Sequence, residues 1–130
     1  NLVCGKESSM PSERLEIQHR RRTLHEQLRA MSGAPLMRGS VYERRRRCGR
    51  QGCACATDPD ALHAGKFLTV FVDGRTQGFH LRAEDEAYVR GAVAAYERVW
   101  KIINELTACE VAELRRQVRE RRRERGRRKT

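Results

Sequence analysis

The chain has 130 residues, 28 Lys+Arg against 17 Asp+Glu, and a formal net charge of +11. Leu, Ile, Val and Phe supply only 25 of the 130, or 19%, which places a highly charged chain near the border of disorder and makes one small domain with arms the expected architecture. That little core argues against a deep-pocketed enzyme. No apolar run approaches the ~18 residues of a membrane span, and no basic-then-apolar start reads as a signal peptide. A chain that begins at Asn1 rather than Met is expected to be a fragment or to carry a cloning remnant.

The charge lies in the flanks. Residues 1–50 carry 12 basic and 5 acidic groups, residues 51–114 carry 6 and 10, and residues 115–130 carry 10 and 2. Of the basic residues 24 are Arg, whose planar fork suits phosphate and stacks on bases. A solvated surface and a GC-rich genome are the plain explanations of such a composition. The clusters Arg20-Arg21-Arg22, Arg44-Arg45-Arg46-Arg47 and Arg121–Arg123 tip the balance toward nucleic acid.

Residues 1–11 read as an irregular N-terminus. Residues 12–35 read as an N-terminal helix from about Glu13 to Met31, with Ser12 as N-cap and Glu13 and Glu16 at its positive end. Ile17, Leu24, Leu28 and Met31 form its narrow apolar stripe, Gly33 closes it in the left-handed conformation, and Pro35 prevents its resumption. A helix this polar needs a partner.

Residues 36–82 read as a Cys-loop β-hairpin module. A strand of about Ser40–Arg47 alternates Val41, Glu43, Arg45 and Arg47 with Tyr42, Arg44, Arg46 and Cys48. Charge on both faces marks an edge strand, serving either as an arginine comb for phosphates or as edge protection. Lys66–Val72 is strand-like, Asp73-Gly74 is a two-residue hairpin turn, and Arg75–Leu81 returns. The expected register sets Leu68 opposite Phe79, Val70 opposite Gln77 and Val72 beside Arg75. Phe67, Thr69 and Phe71 face the other side, where a second helix or another chain is expected to cover them.

From about Glu84 the pattern is helical to near Arg125, divided into a core helix at 83–114 and a basic Arg-rich tail at 115–130. Val89, Val93, Tyr96, Trp100 and Ile103 make the expected buried stripe, widened by Val99 and Leu106 and continued by Thr107, Val111, Leu114 and Val118. Thr107 with Glu110 fits a capping box, with Leu106 and Val111 as its staple, and also fits the interior of one unbroken helix of ~60 Å. Such a length exceeds a small sheet, so its C-terminal half is expected to pair with the first helix, another subunit or nucleic acid.

The densest chemical signal is Cys48-Gly49-Arg50-Gln51-Gly52-Cys53-Ala54-Cys55, followed by His63. Three thiols and an imidazole form a tetrahedral donor set for structural Zn2+. Gly49 and Gly52 let the backbone turn around a small object, and Arg47 and Arg50 offset thiolate charge. The expected ligands are Cys48, Cys53, Cys55 and His63, with His80 an alternative fourth. Free thiols in a reducing cytosol are the plain alternative. Cys109 is expected to be a small buried apolar residue, and Cys4 is isolated.

Gly39-Ser40-Val41, the arginines of Arg44–Arg47, Cys48-Gly49-Arg50-Gln51-Gly52-Cys53-Ala54-Cys55-Ala56, His63, the hairpin Lys66–Leu81 and Tyr96 resemble a family of small uncharacterised domains encoded beside or within bacterial transposase genes. The resemblance covers about residues 36–115. It departs after the histidine, where Ala64-Gly65-Lys66-Phe67 replaces the Gly-Pro-aromatic usual there. It implies a mobile-element context and the company of DNA, RNA or a transposase.

The whole reads as an α+β fold with an N-terminal helix, a small three-stranded antiparallel sheet, a Cys-rich zinc loop and a long C-terminal helix. The expected function is a non-catalytic nucleic-acid-binding accessory protein, cytoplasmic and nucleoid-associated, contacting the phosphates of DNA or RNA. The expected contacts are Arg20, Arg21, Arg22, Arg44, Arg45, Arg46, Arg47 and Arg50, with Arg115, Arg116, Arg119, Arg122 and Arg123 on the last helix. Only 5% of the chain is aromatic, which favours duplex or structured-RNA contact over base stacking. The alternative is a helical, coiled-coil-like interaction or oligomerisation module that docks on a transposase or nuclease partner or on a second copy of itself. No membrane partner is expected. A metal-dependent nuclease would need an open metal position, and Asp58 and Asp60 beside His63 read as a polar turn around Pro59.

Overall fold

The computed structural model describes residues 9–129 and the side chains from Ser12 onward. The element order is helix α1 (Ser9–Ala30), strands β1 (Gly39–Arg46), β2 (His63–Val72) and β3 (Arg75–Leu81), and helix α2 (Glu86–Lys129). Single 3-10 turns stand at Ala54–Ala56, Pro59–Ala61 and Ala83–Asp85. The α+β class and the three-stranded antiparallel sheet are as expected. No helix among the described residues is long and apolar enough to cross a membrane.

Two compact units divide the chain. One runs from Gly33 to Glu97, and the other joins the N-terminal stretch to Ser32 with the stretch from Arg98 onward. In the Gly33–Glu97 unit the strands lie in the order β1-β2-β3. Asp73 and Gly74 both adopt positive φ, 51° and 76°, which is the primed turn whose twist matches that of the flanking strands. A two-residue turn leaves one register for the hairpin, and Leu68–Phe79, Val70–Gln77 and Val72–Arg75 pair as expected. β1 is an edge strand and pairs Tyr42 with Phe67, Arg44 with Gly65 and Arg46 with His63. On the inner face Leu68, Val70 and Leu81 pack with Val89 and Val93 of α2, flanked by Met37 and Val41. Met37 N–H donates to the Ala92 carbonyl at 3.1 Å. Lys66 Nζ donates to both oxygens of Glu86 at 2.8 Å, and Arg90 Nε to one at 2.9 Å. These cations hold the Glu86 carboxyl below its usual range, Lys66 contributing most.

In the other unit α1 packs along the later turns of α2. Leu24 is fully buried against Ile102 and Cys109, with Leu28, Met31 and Leu106 at the margin. The α1 stripe and the buried Cys109 match the sequence reading. Two details differ. α1 begins at Ser9, within the stretch read as irregular, so Ser12 lies inside the helix and its hydroxyl contacts Glu16 at 3.5 Å. The rest of that stretch, residues 1–8 with Cys4, lies outside the described residues.

The buried stripe of α2 is also displaced. Val89 and Val93 are buried as expected and Leu106 packs at the margin of the second core, but Ala92, Ala95, Ile102 and Cys109 are buried too, whereas Trp100 and Ile103 are 53% and 41% exposed, and Val111 and Leu114 are exposed as well. Helical spacing marks the apolar positions, but the packing partner decides which of two adjacent stripes is covered. Of the two arrangements the sequence left open at Thr107, α2 takes the unbroken one. The Thr107 hydroxyl donates back to the Ile103 carbonyl at 2.9 Å, the bond of a mid-helix threonine rather than of a cap.

Candidate metal centre and its basic surround

The loop between β1 and β2 folds around its own sulfurs. Gly49 and Gly52 take positive φ, 78° and 80°, a region closed to most side chains, and so turn the chain back twice within five residues. Cys53 then heads the turn Ala54–Ala56, which carries Cys55 inward to 1% exposure. β2 opens with His63. The ligand atoms of Cys48, Cys53, Cys55 and His63 all lie within 4.8 Å of one another. Cys48 Sγ and Cys55 Sγ are 3.5 Å apart, and Cys53 Sγ is 3.2 Å from His63 Nε2. The cysteines are free thiols, since a disulfide would need about 2 Å.

Zinc bonds of ~2.0–2.3 Å in a tetrahedron put donor atoms ~3.3–3.8 Å apart; the Cys48–Cys55 pair at 3.5 Å falls in that range and the Cys53–His63 pair at 3.2 Å lies just under it. The four residues named from the sequence are therefore brought together and can bind a metal ion. His80, the alternative, stands edge-on to the Phe67 ring at 5.4 Å and is outside this group.

Backbone amides support the sulfurs. Arg50 N–H donates to Cys48 Sγ and Cys48 N–H to Cys55 Sγ, each at 3.4 Å. The Cys55 amide, then His63 and the sulfurs of Cys55 and Cys48, pull the Cys53 thiol down to about 6, which favours the thiolate, the metal-binding form. Cys55 moves the other way. The Cys48 amide lowers it, but desolvation and the neighbouring sulfurs outweigh that pull.

Asp58 and Asp60 stay outside the cluster. The Asp58 carboxylate accepts from Asp60 N–H at 2.9 Å and caps the turn Pro59–Ala61.

The arginines separate into three settings. Arg44 and Arg46 lie on the outer sheet face with Tyr42, Arg45 points to the opposite face, and Arg47 has left the strand. Arg46 and Arg50 line a cleft of about 350 Å3 with Cys48, Cys53, His63 and His80. On the helices, Arg20 reaches Glu105 at 3.1 Å, Arg21 reaches Glu110 at 2.6 Å, and Arg119 is paired with Glu13. Arg116, its side chain 15% exposed, is clamped between Glu113 and Glu120 at 2.8 and 3.0 Å, and chiefly this clamp holds the Glu113 carboxyl at about 2. Arg22, Arg115 and Arg122 are exposed, as is Arg123, which keeps a partner of its own.

Sequence reasoning missed the arginine–aromatic contacts of the outer sheet face. The Arg46 guanidinium lies 4.9 Å from the Phe67 ring centroid, and Arg38 lies 4.4 Å from that of Phe71. Tyr42 stacks with Phe67 at 5.9 Å. The alternation of β1 had placed Tyr42 with Arg46, but only the β1–β2 register brings them to Phe67.

Searches of curated proteins and of solved structures give no match. A family model for a domain of unknown function, DUF6788, matches residues 14–90. That match takes in α1 from Arg14 onward, the whole cysteine loop, the three strands and the start of α2, more than half of the chain, so the protein belongs to the DUF6788 family.

Proposed function

We propose that the Cys48–Cys53–Cys55–His63 centre holds a structural Zn2+ and that the protein is a non-catalytic nucleic-acid-binding accessory factor of a mobile element. The donor set favours zinc. Three thiolates and an imidazole are soft-to-borderline ligands and fill all four tetrahedral positions, leaving none for a substrate. When bound, the metal would lock the loop to the start of β2. The observation that carries the nucleic-acid reading is the basic surface beside this centre. Arg44, Arg46 and Arg50 cluster there with His63 and His80. The helical arginines contribute less, because Arg20, Arg21, Arg116 and Arg119 already face glutamates. The mobile-element setting rests on the resemblance described above.

The test is binding to labelled DNA and RNA across a salt series. Each phosphate neutralised contributes a slope of roughly −0.7 to −0.9 in log K against log salt, so contacts through the sheet arginines give a slope of about −2 to −4. Absence of any complex at low salt overturns the proposal.

A second reading, the helical interaction or oligomerisation module, is favoured by Trp100, Ile103, Val111 and Leu114, which lie exposed along α2. Self-association that survives ~1 M salt, where exposed charges are screened within ~3 Å, would support it.

A further inference from the structure

We infer that the outer face of the sheet is a stacking platform for single-stranded nucleic acid, with bases laid against the Tyr42 and Phe71 rings and the guanidinium groups of Arg38 and Arg46. This placement rests on the nucleic-acid reading above and names the surface and the strandedness. Residues alternate along each strand, so the register puts Tyr42, Phe67 and His80 in one row across the three strands. Phe71 stands four residues along β2 from Phe67, on the same face, ~13 Å away at the strand rise. Between them lies the row Ser40, Thr69 and Gly78, whose side chains are too short to obstruct a ligand. Aromatic residues are scarce in this chain, yet three of its six Phe and Tyr residues fall on this face.

The two arginines make the face specific for a nucleobase strand. Arg46 lies over Phe67, itself buried, and Arg38 over Phe71, and both arginines are exposed. A guanidinium plane stacks on a base while its edge N–H groups remain free to meet phosphate. Tyr42 and Phe71, 39% and 41% exposed, give the bases ring surface as well. The strand positions of this face carry no carboxylate, since Glu43 pairs with Lys66 and lies with it on the inner side. A duplex presents its bases edge-on within grooves and cannot lay a base on a sheet; an unpaired strand can.

The experiment uses the full chain, loaded with zinc, and labelled oligonucleotides of about 20 nucleotides, several times the span of such a platform. Fluorescence anisotropy at about 50 mM salt, where phosphate contacts are strong, compares single-stranded DNA, single-stranded RNA and the matching DNA duplex. Tyr42→Leu and Phe71→Leu keep bulk on the strands and remove the rings. Tyr42→Phe and Phe71→Tyr keep the rings. The inference expects a single strand to bind more tightly than the duplex, a loss of roughly tenfold for each Leu variant, and near-native binding by both ring-conserving variants. Preference for RNA or for DNA identifies the source of the strand, and either supports the platform. Single-strand binding that the Leu variants leave intact overturns the platform while the nucleic-acid reading stands. So does equal binding of the duplex. Absence of binding to all three probes overturns both.

Discussion

His63 and His80 share the outer face of one sheet, yet only one reaches the thiols. His63 Nε2 is 3.2 Å from Cys53 Sγ, whereas His80 is spent on the edge of Phe67. Zinc competition therefore distinguishes them. His63→Ala is expected to lower metal affinity by more than the roughly 10–100-fold typical of outer-shell changes, and His80→Ala to leave it within a few-fold. The reverse result would move the fourth ligand. The thiol ligands were legible because three of them lie within eight residues and two glycines between them allow the turns. The histidine stayed ambiguous until β1 and β2 were paired. The fate of the helical arginines was not legible. Arg20, Arg21 and Arg119 meet glutamates 85, 89 and 106 residues away in sequence, and no local pattern encodes such partners. These pairs are exposed on at least one side, so each contributes only about 0–1 kcal/mol while offsetting part of the positive charge of the helices.

At the scale of elements, the hairpin was readable because a two-residue turn sets its own register. Asp73-Gly74 supplied both the turn and the pairing of Leu68 with Phe79. The long helix was readable as a helix but not as a packed face. Trp100 and Ile103 continue the stripe of Val89 and Val93 at helical spacing, yet the buried side of the later turns runs through Ile102 and Cys109. Spacing gives the period, and only the partner decides which of two adjacent stripes is covered. Thr107 shows the same ambiguity at one residue. As an N-cap it would lose about 1 kcal/mol on truncation. Within an unbroken helix, bonded back to Ile103 and exposed, it should behave differently. Thr107→Ala is expected to be neutral or to stabilise by a few tenths of a kcal/mol, as read by urea unfolding. A loss near 1 kcal/mol would indicate a break at that position.

For the whole molecule the scarce resource is burial. Leu24 and Cys55 are the large side chains that are fully buried among the described residues, and Cys55 belongs to the metal cluster rather than to the core of Leu68, Val70, Leu81, Val89 and Val93. The loop between β1 and β2 is thus organised around sulfur where a larger domain would use hydrocarbon. A metal ion contributes folding free energy directly when its ligands are assembled only in the folded chain, and small domains short of core commonly depend on such a staple. The same loop sets the end of β1, and with it the placing of Arg44 and Arg46 beside the aromatic row, so the Cys/His cluster and the basic face are one local structure.

Elemental analysis of the protein purified from zinc-replete cells, paired with alkylation of its thiols, addresses this centre most directly. Zinc at about one atom per chain is expected, with Cys48, Cys53 and Cys55 shielded from alkylation until a chelator is added and the loop loses its order. Metal-free protein whose three loop thiols react at once, with no change in unfolding on chelation, would show that no ion organises the loop.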